Sequence, residues 1–232
     1  VILVNAKNPL SKISVEELDG IFGAERNGGW EGTTWHPEYA RGPEKNIRTW
    51  GQLGLTGEWA DKPIHVYGFN LRYNTSEGFS DRVLKGSDKW NEDLVATGNY
   101  ALPNGKRVSG GDFIARSVAS DPYAIAYTNY SDEYNQPGDK PLELAERRGG
   151  PYAKLAIENS RTRAYPMVNI NSFYMNETPG TPMNPLVKEF ISFVLSREGQ
   201  AEIVRDGKYL PLTAELIARE RAKLEQAWGS EP

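Results

Sequence analysis

Short apolar, β-branched runs alternate along this chain with stretches in which apolar residues recur at helical spacing. The runs VILVN at 1–5, PIHVYGF at 63–69 and AIAYT at 124–128 have the composition of buried strands. Because the stretches between them carry the helical pattern, strands and helices alternate. This order predicts an α/β protein in which most strands pair in parallel.

Three helices are predicted with clear boundaries. The first covers 14–23, where Ser14 and Glu17 have the spacing of a capping box. The second covers 111–119. The third begins at Pro185, which suits the first turn of a helix, and it has the clearest apolar face in the chain. That face consists of Leu186, Val187, Phe190, Ile191, Val194 and Leu195.

The remaining segments are less regular. Residues 24–46 predict a long loop or an insertion, and 86–107 predict further loops. A helix is expected over 76–84, and a last one near the C-terminus. Strand-like runs occur around Leu155 and over 164–175.

Composition excludes several classes of function. The chain has 232 residues and a net charge of −4, which argues against a general nucleic-acid binder. It has no cysteine, which excludes disulfides, thiolate metal sites and cysteine nucleophiles. No apolar run approaches the ~20 residues of a membrane span. Because VILVN starts abruptly as a strand, we expect an upstream segment and a secretion signal to be absent from this chain.

The stretch RYNTSEG at 72–78 carries the main candidate chemistry. If Ser76 opens a helix, the first amides and the helix dipole can bind an oxyanion, and Arg72 can add charge-assisted hydrogen bonds. The plainer interpretation is that Ser76 only caps the helix and that Arg72 pairs with Asp81 or Glu77. The residues alone leave both interpretations open.

Other reactive constellations are weak. His36 and His65 do not have carboxylates at metal-ligating spacing, so His65 is expected to be structural and His36 solvated. The sequence contains no recognisable nucleophile–base pair, P-loop or dinucleotide-binding glycine pattern. We therefore predict no catalytic residue, no metal and no cofactor.

Tryptophans are concentrated early in the chain. Trp50 and Trp59 are expected to pack in the core, where large aromatic rings bury much apolar area. For Trp30 and Trp35, which lie in the loop at 24–46, packing and an aromatic surface for a partner or for sugars remain alternatives.

Four segments, in this order, resemble the phosphate-binding proteins of bacterial phosphate ABC transporters. They are VNAKNPLSKISVEELDGIFGA from residue 4, WGQLGLTGEWADKPIHVYGFNLRYNTSEGF from residue 50, VASDPYAIAYTNY from residue 118, and the run from YPMVNINSFYMN to PLVKEFISFVLSREGQAEIVRDGKYLPL. The similarity spans residue 1 to about residue 213, and its closing motif is specific.

The resemblance implies an α/β protein with the two-lobe periplasmic-binding-protein type 2 fold. It assigns 1–163 to the second α/β lobe, which carries the anion-binding helix start. It assigns 164–232 to the hinge return strand and the C-terminal part of the first lobe. The first lobe would be incomplete in this chain, because family members have about 90 further residues before this point. Those residues supply a glycine-serine phosphate loop and an acidic residue.

The same resemblance implies a substrate-binding set. Arg72 matches the family arginine, Asn74 the acidic position that steadies it, and Ser76 the serine of an S-G-T run, with the amides from Ser76 to Gly78 as a cradle. The full set is Arg72, Asn74, Thr75, Ser76, Glu77 and Gly78. Glu77 replaces a glycine and Gly78 a threonine. A carboxylate at this position would oppose an arriving anion, whereas Asn74 leaves Arg72 less neutralised.

The implied function is non-catalytic. The chain would be an extracytoplasmic solute-binding protein that captures inorganic phosphate or a similar oxyanion in an interlobe cleft for a membrane ABC transporter permease. A separate N-terminal segment is a further candidate partner, and a membrane anchor in that missing segment is compatible with a periplasmic or extracellular location. The alternative is a binding-protein fold repurposed for another small solute, which Glu77 supports, or as a protein-interaction or sensing module, which the aromatic loop at 24–60 supports.

Overall fold

A computed structural model describes residues 1–130, 137–176, 183–207 and 209–228 of the chain. The chain divides into two compact units, Val1–Asn169 and Ile170–Pro232.

The strands are β1 (Ile2–Asn5), β2 (Lys12–Ser14), β3 (Gly29–Glu31), β4 (Thr34–His36), β5 (His65–Phe69), β6 (Val95–Thr97), β7 (Tyr100–Ala101), β8 (Arg107–Val108), β9 (Ala124–Tyr127), β10 (Asp139–Pro141) and β11 (Glu143–Ala145). The helices are α1 (Val15–Phe22), α2 (Asn74–Val83), α3 (Gly110–Ser120), α4 (Ile157–Arg161), α5 (Pro185–Val194), α6 (Arg197–Asp206) and α7 (Ala214–Trp228).

The main sheet of the first unit has the strand order β10-β1-β9-β5-β6. β5 pairs in parallel with β9 and β6, whereas β1 pairs antiparallel with both β9 and β10. The prediction of mostly parallel pairing is therefore wrong for half of these pairs. β1 and β9 are buried along their whole lengths and, apart from Asn5 at the end of β1, are apolar, so their sequences carry no information about direction.

The sheet geometry positions the candidate site. β5, β6 and β9 run in the same direction, so the residues that follow Phe69, Thr97 and Tyr127 meet at one edge of the sheet. α2 begins at this edge, directly after β5.

The capping box predicted for α1 is confirmed. The Ser14 hydroxyl accepts a hydrogen bond from the Glu17 amide (3.2 Å), and the Glu17 carboxylate accepts one from the Ser14 amide (2.9 Å). Two of the amides that a helix start leaves without intrahelical partners are thus satisfied. α1 then buries Leu18, Ile21 and Phe22 in the core.

The strand-like runs around Leu155 and over 164–175 are not strands. Tyr165 is fully buried, but 169–176 are exposed, so no alternating pattern places one face against a core. Leu155 precedes the short helix α4. Their apolar and β-branched residues are typical of strands, but within the described residues no neighbouring strand pairs with them.

The second unit contains α5, α6 and α7. Ile191 and Leu195 of the α5 segment pack with Leu224 of α7 in a small apolar cluster. The predicted helix beginning at Pro185 is confirmed, but three of the six residues of its predicted apolar face are exposed, among them Leu186 at 79% and Phe190 at 52%. Among the described residues, no helix combines the length and the apolar character required to cross a bilayer.

Candidate functional site

A tight turn joins β5 to α2. The side-chain oxygen of Asn70 accepts a hydrogen bond from the Arg72 amide (3.0 Å), and the Asn70 carbonyl accepts one from the Tyr73 amide (2.9 Å). An Asn side chain that bonds the backbone two residues later is a common way to form such a turn. Asn70 therefore determines the direction in which α2 leaves the sheet.

Ser76 does not cap the helix, contrary to the sequence-based expectation. Tyr73 occupies the N-cap position, and its carbonyl accepts hydrogen bonds from the amides of Ser76 (2.9 Å) and Glu77 (3.0 Å). These two amides are thus already engaged in the first turn. The backbone donors that the helix itself leaves without acceptors come earlier, at Asn74 and Thr75.

The Ser76 side chain is buried. Its hydroxyl lies 2.8 Å from the Tyr127 hydroxyl and also bonds the carbonyls of Phe69 (3.2 Å) and Asn70 (3.0 Å). Burial raises the pKa of Tyr127 to about 12, so the phenol stays protonated and available as a donor. In the described structure Ser76 therefore fixes α2 to β5 and β9.

Thr75 is the hydroxyl-bearing residue that remains near the surface. It is half-buried, and its hydroxyl donates to the side-chain oxygen of Asn129 (3.2 Å), which follows β9. One turn further along α2, Gly78 lies next to Asn169, where a Cβ would come 3.2 Å from the Asn169 amide nitrogen. Amide side chains thus border the first turns of α2 on two sides.

Arg72 is exposed directly ahead of α2. Across the parts of the chain that the structure describes, its guanidinium forms no ion pair. The interpretation that pairs it with Asp81 or Glu77 is therefore wrong. Among the described residues, no hydrogen bond of the Asn74 side chain orients Arg72.

The electrostatics of this helix start are mixed. The positive end of the α2 dipole and the Arg72 guanidinium favour an anion. The amides of Asn74 and Thr75, which have no acceptor within the helix, can donate hydrogen bonds to it. Glu77 is exposed in the first turn, so it can point into solvent while it still weakens the local positive potential. The arrangement can bind an oxyanion through hydrogen-bond donors and one cation, without any reactive group.

Sequence reasoning missed Asn70, Asn129 and Asn169. Asn70 could have been recognised, because Asn after a strand is a standard turn signal. Asn129 could have been found only by placing the end of β9 beside the end of β5. Asn169 lies in a segment without regular structure, and no local pattern points to it.

The two histidines each have a carboxylate partner. His36 Nδ1 lies 2.7 Å from Glu38, and His65 Nδ1 lies 2.7 Å from Asp121. The described residues nevertheless contain no group of three or more histidine, aspartate and glutamate side chains that could hold a metal ion.

A second set of cations lies away from α2. Arg26 and Arg41 border a depression of about 450 Å³ that is formed by residues 25–27 and 40–45. Arg26 donates to both Asp19 oxygens (2.6 and 2.7 Å), and Arg41 donates to Asn46 (2.8 Å). Arg41 Nε is buried without a hydrogen-bond partner, 3.5 Å from Asp19. Since the Asp19 carboxylate lies beside both guanidinium groups and occupies most of their positive potential, the pair stabilises the loop and is a poor anion site.

Comparison with known proteins identifies the family. The sequence matches the PBP superfamily domain over residues 1–198, and the chain belongs to this superfamily. It is 29% identical over 218 residues to the phosphate-binding protein PstS of Pseudomonas aeruginosa, an alignment that covers 94% of this chain and 59% of that protein. The chain thus spans about three fifths of the length of this relative.

Solved structures show the same fold. A possible phosphate-binding protein from Planctomyces limnophilus superposes with a TM-score of 0.60 at 17% identity, covering 97% of this chain and 68% of that one. A putative phosphate ABC transporter substrate-binding protein from Clostridium perfringens, solved with bound phosphate, superposes with a TM-score of 0.56 at 17% identity, covering 91% and 68%. The resemblance inferred from the sequence motifs is confirmed for family and fold.

Proposed function

We propose that this chain belongs to an extracytoplasmic solute-binding protein that captures inorganic phosphate, or a similar oxyanion, for a membrane ABC transporter. The observation that carries the proposal is the exposed Arg72, which forms no ion pair within the described residues, directly ahead of the α2 start. It occurs in a chain whose sequence aligns with a phosphate-binding protein over 94% of its length.

Capture would require no chemistry. Arg72 supplies the charge, the amides of Asn74 and Thr75 supply donors, and Gly78 allows close approach of the backbone. Ser76 belongs to the site because its hydrogen bonds hold the start of α2 in position. Glu77 belongs to it because its carboxylate lowers the positive electrostatic potential there. A ligand that leaves such donors unpaired loses binding energy, which is the basis of selectivity in sites of this kind.

The lobe assignment is part of the same proposal. We assign 1–163 to the lobe that bears the anion site and 164–232 to the hinge return strand and the C-terminal part of the other lobe. Along the chain, the division between the two compact units falls between Asn169 and Ile170, six residues after this boundary. The protein would act in the periplasm or outside the cell. Its partners would be a transporter permease and a polypeptide segment that is not part of this chain.

The exposed face of α5 supports that additional segment. Leu186, Phe190 and Phe193 are 79%, 52% and 51% exposed. A soluble protein rarely leaves such an apolar stripe in contact with water. Relatives of greater length contain additional chain that could cover it, since the aligned part is 59% of the curated relative.

A second candidate is a binding protein for another small anion or organic solute. Glu77 favours it, because a carboxylate in the first turn of α2 weakens the attraction for a doubly charged ligand.

The test is a calorimetric titration with inorganic phosphate of the chain and of two variants. Arg72→Ala removes the charge at the site. Arg116→Ala removes the same charge from an exposed position of α3. Saturable binding that Arg72→Ala abolishes and Arg116→Ala preserves is expected. Equal affinities in all three proteins, or no heat with phosphate and strong heat with another anion, would reject phosphate capture at this site.

A further inference from the structure

A small β-hairpin projects from the loop that follows α1. It consists of β3 and β4 joined through Gly32, whose φ of +60° suits a residue without a Cβ. Trp30 and Trp35 are directly opposite each other in the register, with ring centroids 5.1 Å apart. They are 47% and 44% exposed. We call this element the tryptophan hairpin.

The exposure of these rings is a fixed feature of the fold. The Trp30 amide donates to the Lys85 carbonyl (2.7 Å), which attaches the hairpin to the end of α2. Gly28 lies against the Trp35 ring, where a Cβ would come within 2.3 Å of the ring carbons. Arg26 and Arg41 exchange backbone hydrogen bonds of 2.9 Å at the base. The rings are therefore held in one arrangement before any partner arrives.

Packing does not account for this pair of tryptophans. Trp50 is fully buried and Trp59 packs against the core, as the sequence predicted. The same chain therefore has room for large aromatic rings inside its core, yet it presents Trp30 and Trp35 to solvent. Tryptophan is enriched among the residues that contribute most to binding at protein interfaces.

The charges around the tryptophan hairpin are mainly acidic. The Asp81 carboxylate and the Trp30 Cβ both lie against Gly86. Glu31 and Glu38 are on the hairpin and the turn after it, with side chains 73% and 63% exposed. The basic side chains beside these carboxylates are His36, whose ring lies 2.7 Å from Glu38 and 3.7 Å from Glu31, and Lys85, whose ammonium group lies over the Tyr39 ring at 5.5 Å. Exposed aromatic faces beside carboxylates are complementary to cations.

We propose that the tryptophan hairpin is the docking surface for a protein partner that presents arginine or lysine side chains. A guanidinium or ammonium group would lie over an indole face, where the ring quadrupole attracts it, while Glu31, Glu38 or Asp81 supplies the counter-charge. The hairpin belongs to the first compact unit and lies outside the candidate anion site, so this inference is independent of phosphate capture.

The experiment uses the whole chain and a fluorescent oligo-arginine peptide, with an oligo-glutamate peptide of equal length and a chitin oligosaccharide as comparison ligands. Fluorescence anisotropy gives the affinity at low and at moderate ionic strength. The double variant Trp30→Ala/Trp35→Ala is compared with Tyr100→Ala/Leu102→Ala, which removes two exposed apolar side chains from the β7–β8 hairpin. Far-UV circular dichroism verifies that each variant is folded.

We expect the chain to bind oligo-arginine and the tryptophan variant to bind it about tenfold or more weakly, since tenfold corresponds to the loss of one good contact. The β7–β8 variant should bind as the wild type does. Glu31→Gln/Glu38→Gln should also weaken binding, whereas the exposed control Glu92→Gln should not.

Three outcomes would overturn the proposal. Equal peptide affinity in the tryptophan and β7–β8 variants would mean that only the overall negative charge attracts the peptide. Binding of the chitin oligosaccharide, lost in the tryptophan variant, would identify a sugar surface. Concentration-dependent dimerisation that the tryptophan variant abolishes would assign the surface to a second copy of the chain.

Discussion

Asp19 is the residue whose replacement should destabilise the first unit most clearly. Its carboxylate accepts two hydrogen bonds from Arg26 (2.6 and 2.7 Å) and lies 3.5 Å from Arg41 Nε. Both arginine side chains are only 5% exposed. Asp19→Asn keeps the shape of the side chain but removes the carboxylate that Arg26 binds and that is the strongest opposite charge acting on Arg41.

The expected cost is about 3–5 kcal/mol, the range found when one partner of a buried ion pair is removed. A chain unit of this size loses about 2 kcal/mol of stability per molar urea, so the unfolding midpoint should fall by about 1.5–2.5 M. Urea titrations followed by far-UV circular dichroism and tryptophan fluorescence measure this midpoint.

The control is an ion pair in solvent. Glu158 and Arg161 are 2.9 Å apart with side chains 64% and 54% exposed. Glu158→Gln should therefore cost less than about 1 kcal/mol. If Asp19→Asn shifts the midpoint no more than Glu158→Gln does, the buried network of Asp19, Arg26 and Arg41 does not stabilise the loop at 24–46.

Two further predictions concern the α2 region. Burial raises the pKa of Tyr127 to about 12, so the stability that its protonated form contributes is fully present below pH 10 and is lost as the pH rises towards 12. The loss amounts to about 2–3 kcal/mol. At alkaline pH the free energy of unfolding should therefore fall less steeply with rising pH in Tyr127→Phe than in the wild type, and equal slopes would contradict this. Glu77→Gln should tighten phosphate binding several-fold in calorimetry because a carboxylate leaves the first turn of α2. Unchanged or weaker binding would show that Glu77 does not face the anion.

Helix boundaries were the part of the fold that local sequence predicted best. The Ser14 capping box and the helix beginning at Pro185 depend on neighbouring residues and occur where expected, and the strand predicted at 124–128 is present as Ala124–Tyr127. The antiparallel direction of β1 beside β9 could not be predicted, because both strands are buried along their whole lengths and are apolar except for Asn5. Direction is decided by contacts between distant parts of the chain.

The candidate site shows the same division. The position of Arg72 ahead of a helix was predictable from the order of residues, and the helix is present. The role of Ser76 was not, because its hydroxyl is engaged by Tyr127, a residue 51 positions away, and the helix begins earlier than a serine cap would allow. Thr75 bonds Asn129 for the same reason: strands β5 and β9 are neighbours in the sheet.

The most direct test of the central claim is to locate the bound anion. Amide NMR spectra of the isotope-labelled chain, recorded during titration with inorganic phosphate, report which backbone groups respond. We predict saturable shifts concentrated at 72–78, with a smaller response at Asn129. Shifts centred on Arg26 and Arg41, or an absence of saturable shifts anywhere, would contradict the assignment of an oxyanion site to the start of α2.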